Sequence, residues 1–197
     1  MEKVSIIGLD LAKNTIQVHG AAADGSIIFR RKVSNAKLLA FLSGINPCTV
    51  AMEACAGSHY WGREIGRLGH QVRLIAPIYE KPFVKRQKND AADAEAVCEA
   101  ALRPTMRFVA VKSEAKQASA TVFKVRDLLV RQKTQTINAL RGLMAEFGTV
   151  VAQGPAHVGI LIEHVEDPCS NLPEAARAAT SFCLTLSRRR LRQDRHE

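Results

Sequence analysis

Apolar and polar positions fall into two regimes along this chain. Up to about residue 111, short apolar runs alternate with turn signals. Val4–Leu9 reads as a buried strand, being short, apolar and β-branched. Lys13-Asn14 is a turn, and Thr15–His19 alternates as a second strand. Ala23-Asp24-Gly25 carries a hairpin signal before a third strand, Ile27–Val33, which turns basic at Arg30, Arg31 and Lys32. Ser34-Asn35 caps a short helix through Leu42, Thr49–Glu53 is a fourth strand, and Ser58 caps a helix from His59 to Leu68 with Gly69 at its end. Gln71–Ala76 is a fifth strand, stopped by Pro77. Hairpin-linked strands followed by strand–helix alternation predict a mixed sheet with helices on its faces.

The second regime is helical. Asp90–Leu102 reads as a helix ended by Pro104, and Arg107–Val111 as a short extended piece. From Ser113 to about Phe147 the pattern is one long helix. Its interrupted apolar stripe is Val122, Val125, Leu129, Ile137, Leu140 and Met144, a pattern that projects from a domain or pairs with another helix. Gly154-Pro155 and Asp167-Pro168 then break the chain into short pieces. The tail from Ser187, rich in arginine and without apolar periodicity, reads as disordered or loosely helical.

Charge narrows the partners. The 197 residues carry a formal charge of +9, with a pI near 9.6, which favours acidic partners. Cys48, Cys55, Cys98, Cys169 and Cys183 are odd in number and form no C-x-x-C pair, arguing for reduced thiols in a cytoplasm rather than a disulfide framework or zinc site. No apolar run approaches the ~20 residues of a membrane span, so no membrane partner is expected. The N-terminus lacks a cleavable-signal pattern.

Four acids then stand out. Asp10 closes the first strand and Glu53 the fourth, while Asp90 and Asp93 head the Ala-rich segment Asn89-Asp90-Ala91-Ala92-Asp93-Ala94-Glu95-Ala96. Residues i and i+3 share a helix face. Asp90 and Asp93 can therefore converge with strand-end carboxylates on Mg²⁺ or Mn²⁺, which take hard oxygen ligands. A pair of such ions can hold the attacking and leaving oxygens of a phosphoryl transfer. The same two aspartates also suit an N-cap and a capping box, which need no metal.

The motifs Gly8-Leu9-Asp10-Leu11-Ala12-Lys13, Met52-Glu53-Ala54-Cys55 and Lys81-Pro82-Phe83-Val84-Lys85-Arg86-Gln87-Lys88-Asn89-Asp90-Ala91-Ala92-Asp93-Ala94 resemble the DEDD transposases of bacterial insertion sequences. That family includes pilin-gene-inverting and bridge-RNA-guided recombinases. The likeness runs from about Lys3 to about Arg177 and takes in Gly69-His70-Gln71-Val72-Arg73-Leu74-Ile75-Ala76-Pro77 and Leu140-Arg141-Gly142-Leu143-Met144-Ala145-Glu146-Phe147-Gly148. The resemblance implies an α/β fold, an RNase H-like (RuvC-type) five-stranded mixed sheet with flanking helices, over residues 1–111. It further implies a coiled-coil-forming helix over 112–150 and the start of a helical linker over 151–179; the likeness fades within Ala178–Glu197, where residues 180–197 read as an aberrant basic, disordered tail. By the same resemblance Asp10, Glu53, Asp90 and Asp93 bind Mg²⁺ and act in DNA strand exchange. The implied partners are DNA, an element-encoded guide RNA in some members, and further copies of the chain through the long helix.

Family members also carry a C-terminal domain with a serine nucleophile. Ser170, Ser181 and Ser187 lie in no matching motif, and the sequence ends before such a domain, so the expectation is a truncated copy lacking excision or integration activity of its own. Lys81, Lys85, Arg86 and Lys88 either steer a phosphate backbone toward the acids or form a solvated loop. Lys124, Arg126, Arg131, Lys133 and Arg141 on the long helix either track DNA or RNA or face solvent. Three functions stay open on sequence alone: a transposase, an inactive nucleic-acid-binding fragment, and a stand-alone resolvase-like metal-dependent nuclease. A sugar-kinase-type ATPase is disfavoured, because Leu11-Ala12-Lys13 follows Asp10 where Gly-x-Thr is needed.

Overall fold

The structure is a computed structural model describing residues 3–80, 90–154 and 157–193. It divides into two compact units, residues 1–117 and 118–197.

The first unit is built on one sheet. Its strands are β1 (Ile6–Leu11), β2 (Thr15–Ala21), β3 (Ile27–Ser34), β4 (Thr49–Glu53), β5 (Gln71–Ile75) and β6 (Phe108–Val109). Strand order is β3-β2-β1-β4-β5-β6. The β1–β2 and β2–β3 pairs are antiparallel, β1–β4 and β4–β5 parallel, and β5–β6 antiparallel. This is the mixed sheet expected of an RNase H-like domain, with a two-residue sixth strand added at the β5 edge. Asp24 forms the expected hairpin turn: its carboxylate accepts the Ser26 amide at 2.9 Å and the Ser26 hydroxyl at 2.6 Å, and Gly25 takes a positive φ of 87°.

Strand alternation sorts side chains onto two faces. Ile7, Leu9, Ile16, Val18, Val50, Met52 and Leu74 face a core closed by helices α1 (Asn35–Ser43) and α2 (Ser58–Arg67). Ile6, Ala21, Ala51 and Ile75 face the other way and pack on Val97, Cys98, Ala100 and Ala101. Those residues belong to α4 (Asp90–Leu102), which follows the single turn α3 (Pro77–Glu80). α2 begins one residue earlier than its sequence signal. Gly57, at φ 87°, occupies the N-cap, while Ser58 is buried inside the helix and donates its hydroxyl to the Cys55 carbonyl at 2.8 Å. A left-handed cap suits glycine better than any residue with a Cβ.

The long helix, α5, spans Glu114–Ala145, and the unit boundary falls within it. The Ser113 hydroxyl accepts the Lys116 amide at its start, and Gly148 (φ 82°) follows its end. In the second unit, Leu140 and Met144 of α5 are buried with Leu161 and Val165 of α6 (Val158–Glu166) and with Leu172 and Leu184. Leu184 lies on α7, Glu174–Gln193. That helix takes in the start of the tail from Ser187, for which the sequence pattern left disorder and loose helix open. No glycine or proline interrupts the run, Leu, Arg and Gln are good helix formers, and burial of Thr180 and Leu184 anchors the helix. All five cysteines are free thiols. Among the described residues no helix is long and apolar enough to cross a membrane.

Candidate metal and nucleic-acid site

The parallel register of β1 and β4 pairs Gly8 with Ala51 and Leu9 with Met52. Asp10 and Glu53 are therefore the next positions on adjoining strands, on backbones about 4.8 Å apart. Both share the face of Gly8 and Ala51 by alternation, which is the face α4 covers. Both are half-buried. Two like-charged carboxylates placed side by side repel unless a cation or proton joins them.

Gly8 explains how α4 comes so close. A Cβ built there would lie 2.2 Å from the Ala94 carbonyl oxygen, 3.0 Å from the Cys98 amide nitrogen and 3.1 Å from the Cys98 Cβ. The helix backbone thus rests directly on β1, in space that any side chain would fill. Asp93 is half-buried one residue before this contact, and Asp90 opens the helix one turn earlier. The Asp90 side chain and Lys81, Lys85, Arg86 and Lys88 lie outside the described residues. Among the described residues, no three His, Cys, Asp or Glu side chains converge closely enough to hold a metal ion. Asp10, Glu53 and Asp93 do share the sheet-and-helix layer, with all-oxygen donor chemistry. Cys98 adds no thiolate to it, because burial pushes its thiol up to about 12.

Two further contacts hold α4. At its C-terminal end the Arg73 guanidinium donates to the Ala101 carbonyl at 2.9 Å, where a cation also complements the helix dipole. Along its flank Arg30 of β3 reaches Glu95 at 2.5 Å, and the Arg30 Nε–H donates to His19 Nδ1 at 3.4 Å. His19 is 3% exposed. Burial first, then the Arg30 cation, holds its pKa below the usual histidine value, with Glu95 pulling the other way. Unfolded, the ring binds a proton near pH 6.5; folded, it binds one only at lower pH. Its contribution is therefore complete above about 6.5 and is lost as pH falls through the folded value. Between pH 7 and 5.5 the melting temperature is expected to fall more steeply in the wild type than in His19→Gln. Parallel curves would remove His19 as the source.

The sheet register places another cation that sequence reading passed over. Asp10 pairs with Gln17, and Gln17 with Lys32. Arg30 reaches α4, whereas Phe29 and Arg31 turn to the other face, where they meet Phe41. Lys32 therefore shares the acids' face, two strands from Asp10 or about 10 Å along the sheet. Pairing the hairpin residue by residue from Asp24-Gly25 would have revealed it. His59 and Trp61 are structural: the His59 Nδ1 accepts the Lys112 amide at 3.2 Å, and Trp61 packs on the α1/α2 core.

The five cations of α5 do not form one face. At about 100° per residue, Lys124 and Arg131 fall on one side, and Arg126 and Lys133 nearly opposite. Arg141 is turned inward, donating to Asn138 at 3.1 Å and to the Gly154 carbonyl at 2.8 Å.

Sequence relatives supply the class. The chain is 46% identical over 178 residues to a putative transposase, y4pF/y4sB, of Sinorhizobium fredii, covering 90% of this chain and 46% of that protein. It is 50% identical over 163 residues to a probable family 20 transposase of Pseudomonas aeruginosa, covering 82% and 48%. The transposase for insertion sequence element IS1328 of Yersinia enterocolitica is 44% identical over 156 residues, covering 79% and 47%. The chain thus spans about half the length of the curated relatives it matches. A solved structure of T. thermophilus RuvC in complex with Holliday junction substrate is also similar, with a TM-score of 0.40 and 14% identity over 53% of this chain and 98% of that one. The model of the IS110 DEDD transposase family matches residues 7–148, and the chain belongs to that family.

Proposed function

We propose that this chain is the metal-binding part of an insertion-sequence transposase, acting on DNA phosphates through Asp10, Glu53, Asp90 and Asp93 with Mg²⁺ or Mn²⁺. The observation that carries this reading is the placement of Asp10 and Glu53 on adjoining strands, on the face covered by the acid-headed helix α4. A divalent ion there would supply Lewis-acid polarisation and orient a phosphoryl group. The chain's own part is to hold the carboxylates at fixed spacing and to bring phosphate in by its positive field. Lys32 on the site face suits that last role, as do the loop cations Lys81, Lys85, Arg86 and Lys88.

Titrating Mn²⁺ into the full chain in a calorimeter tests the reading. Saturable binding supports it, and a flat titration to millimolar Mn²⁺ overturns it. DNA binding is expected to weaken steeply with salt, and Lys32→Ala to reduce the log–log salt slope by about 0.9, one phosphate contact. An unchanged slope would take Lys32 out of the interface.

The same reading assigns homo-oligomerisation to α5. Val122 is 61% exposed and Val125 49%, although both are stripe residues, and Phe123 is 67% exposed. Such a run on one helix suits pairing with a second copy. Val122→Glu/Val125→Glu is expected to raise the dimer dissociation constant more than tenfold, or about 1.4 kcal/mol, by sedimentation. A double variant that sediments like the wild type would exclude this surface. An element-encoded RNA is the second polyanion proposed, with Lys124 and Arg131 exposed on one side of α5 to meet it.

A further inference from the structure

We propose that Arg30 is a positioning residue of this site: bridging His19 and Glu95, it clamps α4 sideways so that the helix, with Asp93 near its start, keeps its place on the sheet face that carries Asp10 and Glu53. The proposal rests on the metal-site reading above.

Gly8, His19 and Arg30 form one row across β1, β2 and β3, paired Gly8 to His19 and His19 to Arg30. Side-chain size rises along the row. Gly8 leaves room for the α4 backbone to touch the sheet. The buried imidazole of His19 fills the space beside the helix. Arg30 spans that ring and ends on Glu95, 65 residues away in sequence. Glu95 lies two residues from Asp93 and next to Ala94, whose carbonyl meets Gly8. The row therefore sets both the height of α4 above the sheet and its lateral place. The guanidinium fork suits the double task, with Nε–H on the imidazole and the Nη2 group on the carboxylate.

Stability alone gives little reason for the pair. The Arg30 side chain is 49% exposed and that of Glu95 27%, and ion pairs of this exposure add little to global folding. Geometry is more sensitive. Mg²⁺ tolerates little departure from octahedral coordination at 2.0–2.1 Å, so a small slide of α4 would cost metal affinity while the core stayed packed.

The test uses the full chain. Mn²⁺ affinity is measured by calorimetry, the melting temperature by circular dichroism, and amide exchange over Ala94–Cys98 by mass spectrometry. Arg30→Gln and Glu95→Gln are each expected to weaken Mn²⁺ binding about tenfold, the low end of what losing a direct partner of a metal ligand costs. Melting should move by only a few degrees, and exchange should rise in α4 alone. Arg30→Lys, which keeps the charge and loses the fork, should fall between. The charge-swapped double variant, Arg30→Glu with Glu95→Arg, should recover most of the affinity. A wild type that binds no Mn²⁺ would overturn the site reading itself. If the wild type binds, single variants with affinity within twofold of it overturn the clamp alone. So does a melting-temperature loss that tracks the affinity loss through Arg30→Lys and the swap, since the pair would then act only through stability.

Discussion

Asp10→Asn should lose divalent-ion binding by more than about 100-fold while melting within a few degrees of the wild type. Removing a partner one shell away from a metal typically costs 10–100-fold, and a coordinating carboxylate should exceed that. The substitution is nearly isosteric, and Asp10 is only half-buried at a strand end, so the sheet has no reason to fail. The two effects separate cleanly in one experiment. Without metal, the melting temperatures of wild type and variant should lie close together. With millimolar Mn²⁺, only the wild type should rise, because a ligand that binds the folded state alone stabilises it in proportion to the logarithm of its excess over the dissociation constant. An equal rise in both proteins would take Asp10 out of the metal site.

Gly8→Ala should act through packing and be the most damaging glycine-to-alanine change among the described residues of the first unit. The new Cβ would stand 2.2 Å from a backbone oxygen and 3.0 Å from a backbone nitrogen of α4. Neither atom can swing aside as a side chain would, so the whole helix must lift. Overpacking of this kind costs about 1–3 kcal/mol, which for a chain of this size lowers the melting temperature by roughly 2–12 °C. The lift also carries Asp93 away from Asp10 and Glu53, so Mn²⁺ affinity should fall with it. Gly142→Ala in α5 is the control. Nothing lies within 4 Å of its Cβ, and alanine in an open helical site is worth up to about 1 kcal/mol over glycine. If Gly8→Ala melts as the wild type does, β1 and α4 are not in the close contact described.

Much of the first unit was legible because its information is local. Short apolar runs with period-two alternation, a hairpin signal at Asp24-Gly25 and Pro77 after β5 are enough to define five strands. Period two also assigns Asp10 and Glu53 to one face once the strands are paired. The lack of one cationic face on α5 was equally readable, since it follows from counting 100° per residue. Other features were hidden because they depend on atoms far apart in sequence. Arg107–Val111 reads as extended, but the pairing of its two strand residues as β6 depends on the edge that β5 offers. Gly57 replaced Ser58 as the cap because the turn out of β4 needs a positive φ, which a cap propensity does not report. α7 continues through the arginine tract because its first turns are anchored by Thr180 and Leu184.

Local patterns and motif spacing were enough for the family, the strand order of the hairpin and the four acids to examine. What those acids sit against emerges only from the packing of helix on sheet. The glycine of Gly-Leu-Asp reads as a strand residue until α4 is seen resting on it. Arg30 reads as one of three basic residues on an edge strand until it is seen clasping Glu95. Contacts between β1, β3 and α4 depend on how helix and sheet pack, which no local propensity encodes. That packing sets the distance between the carboxylates and hence the chemistry proposed for them.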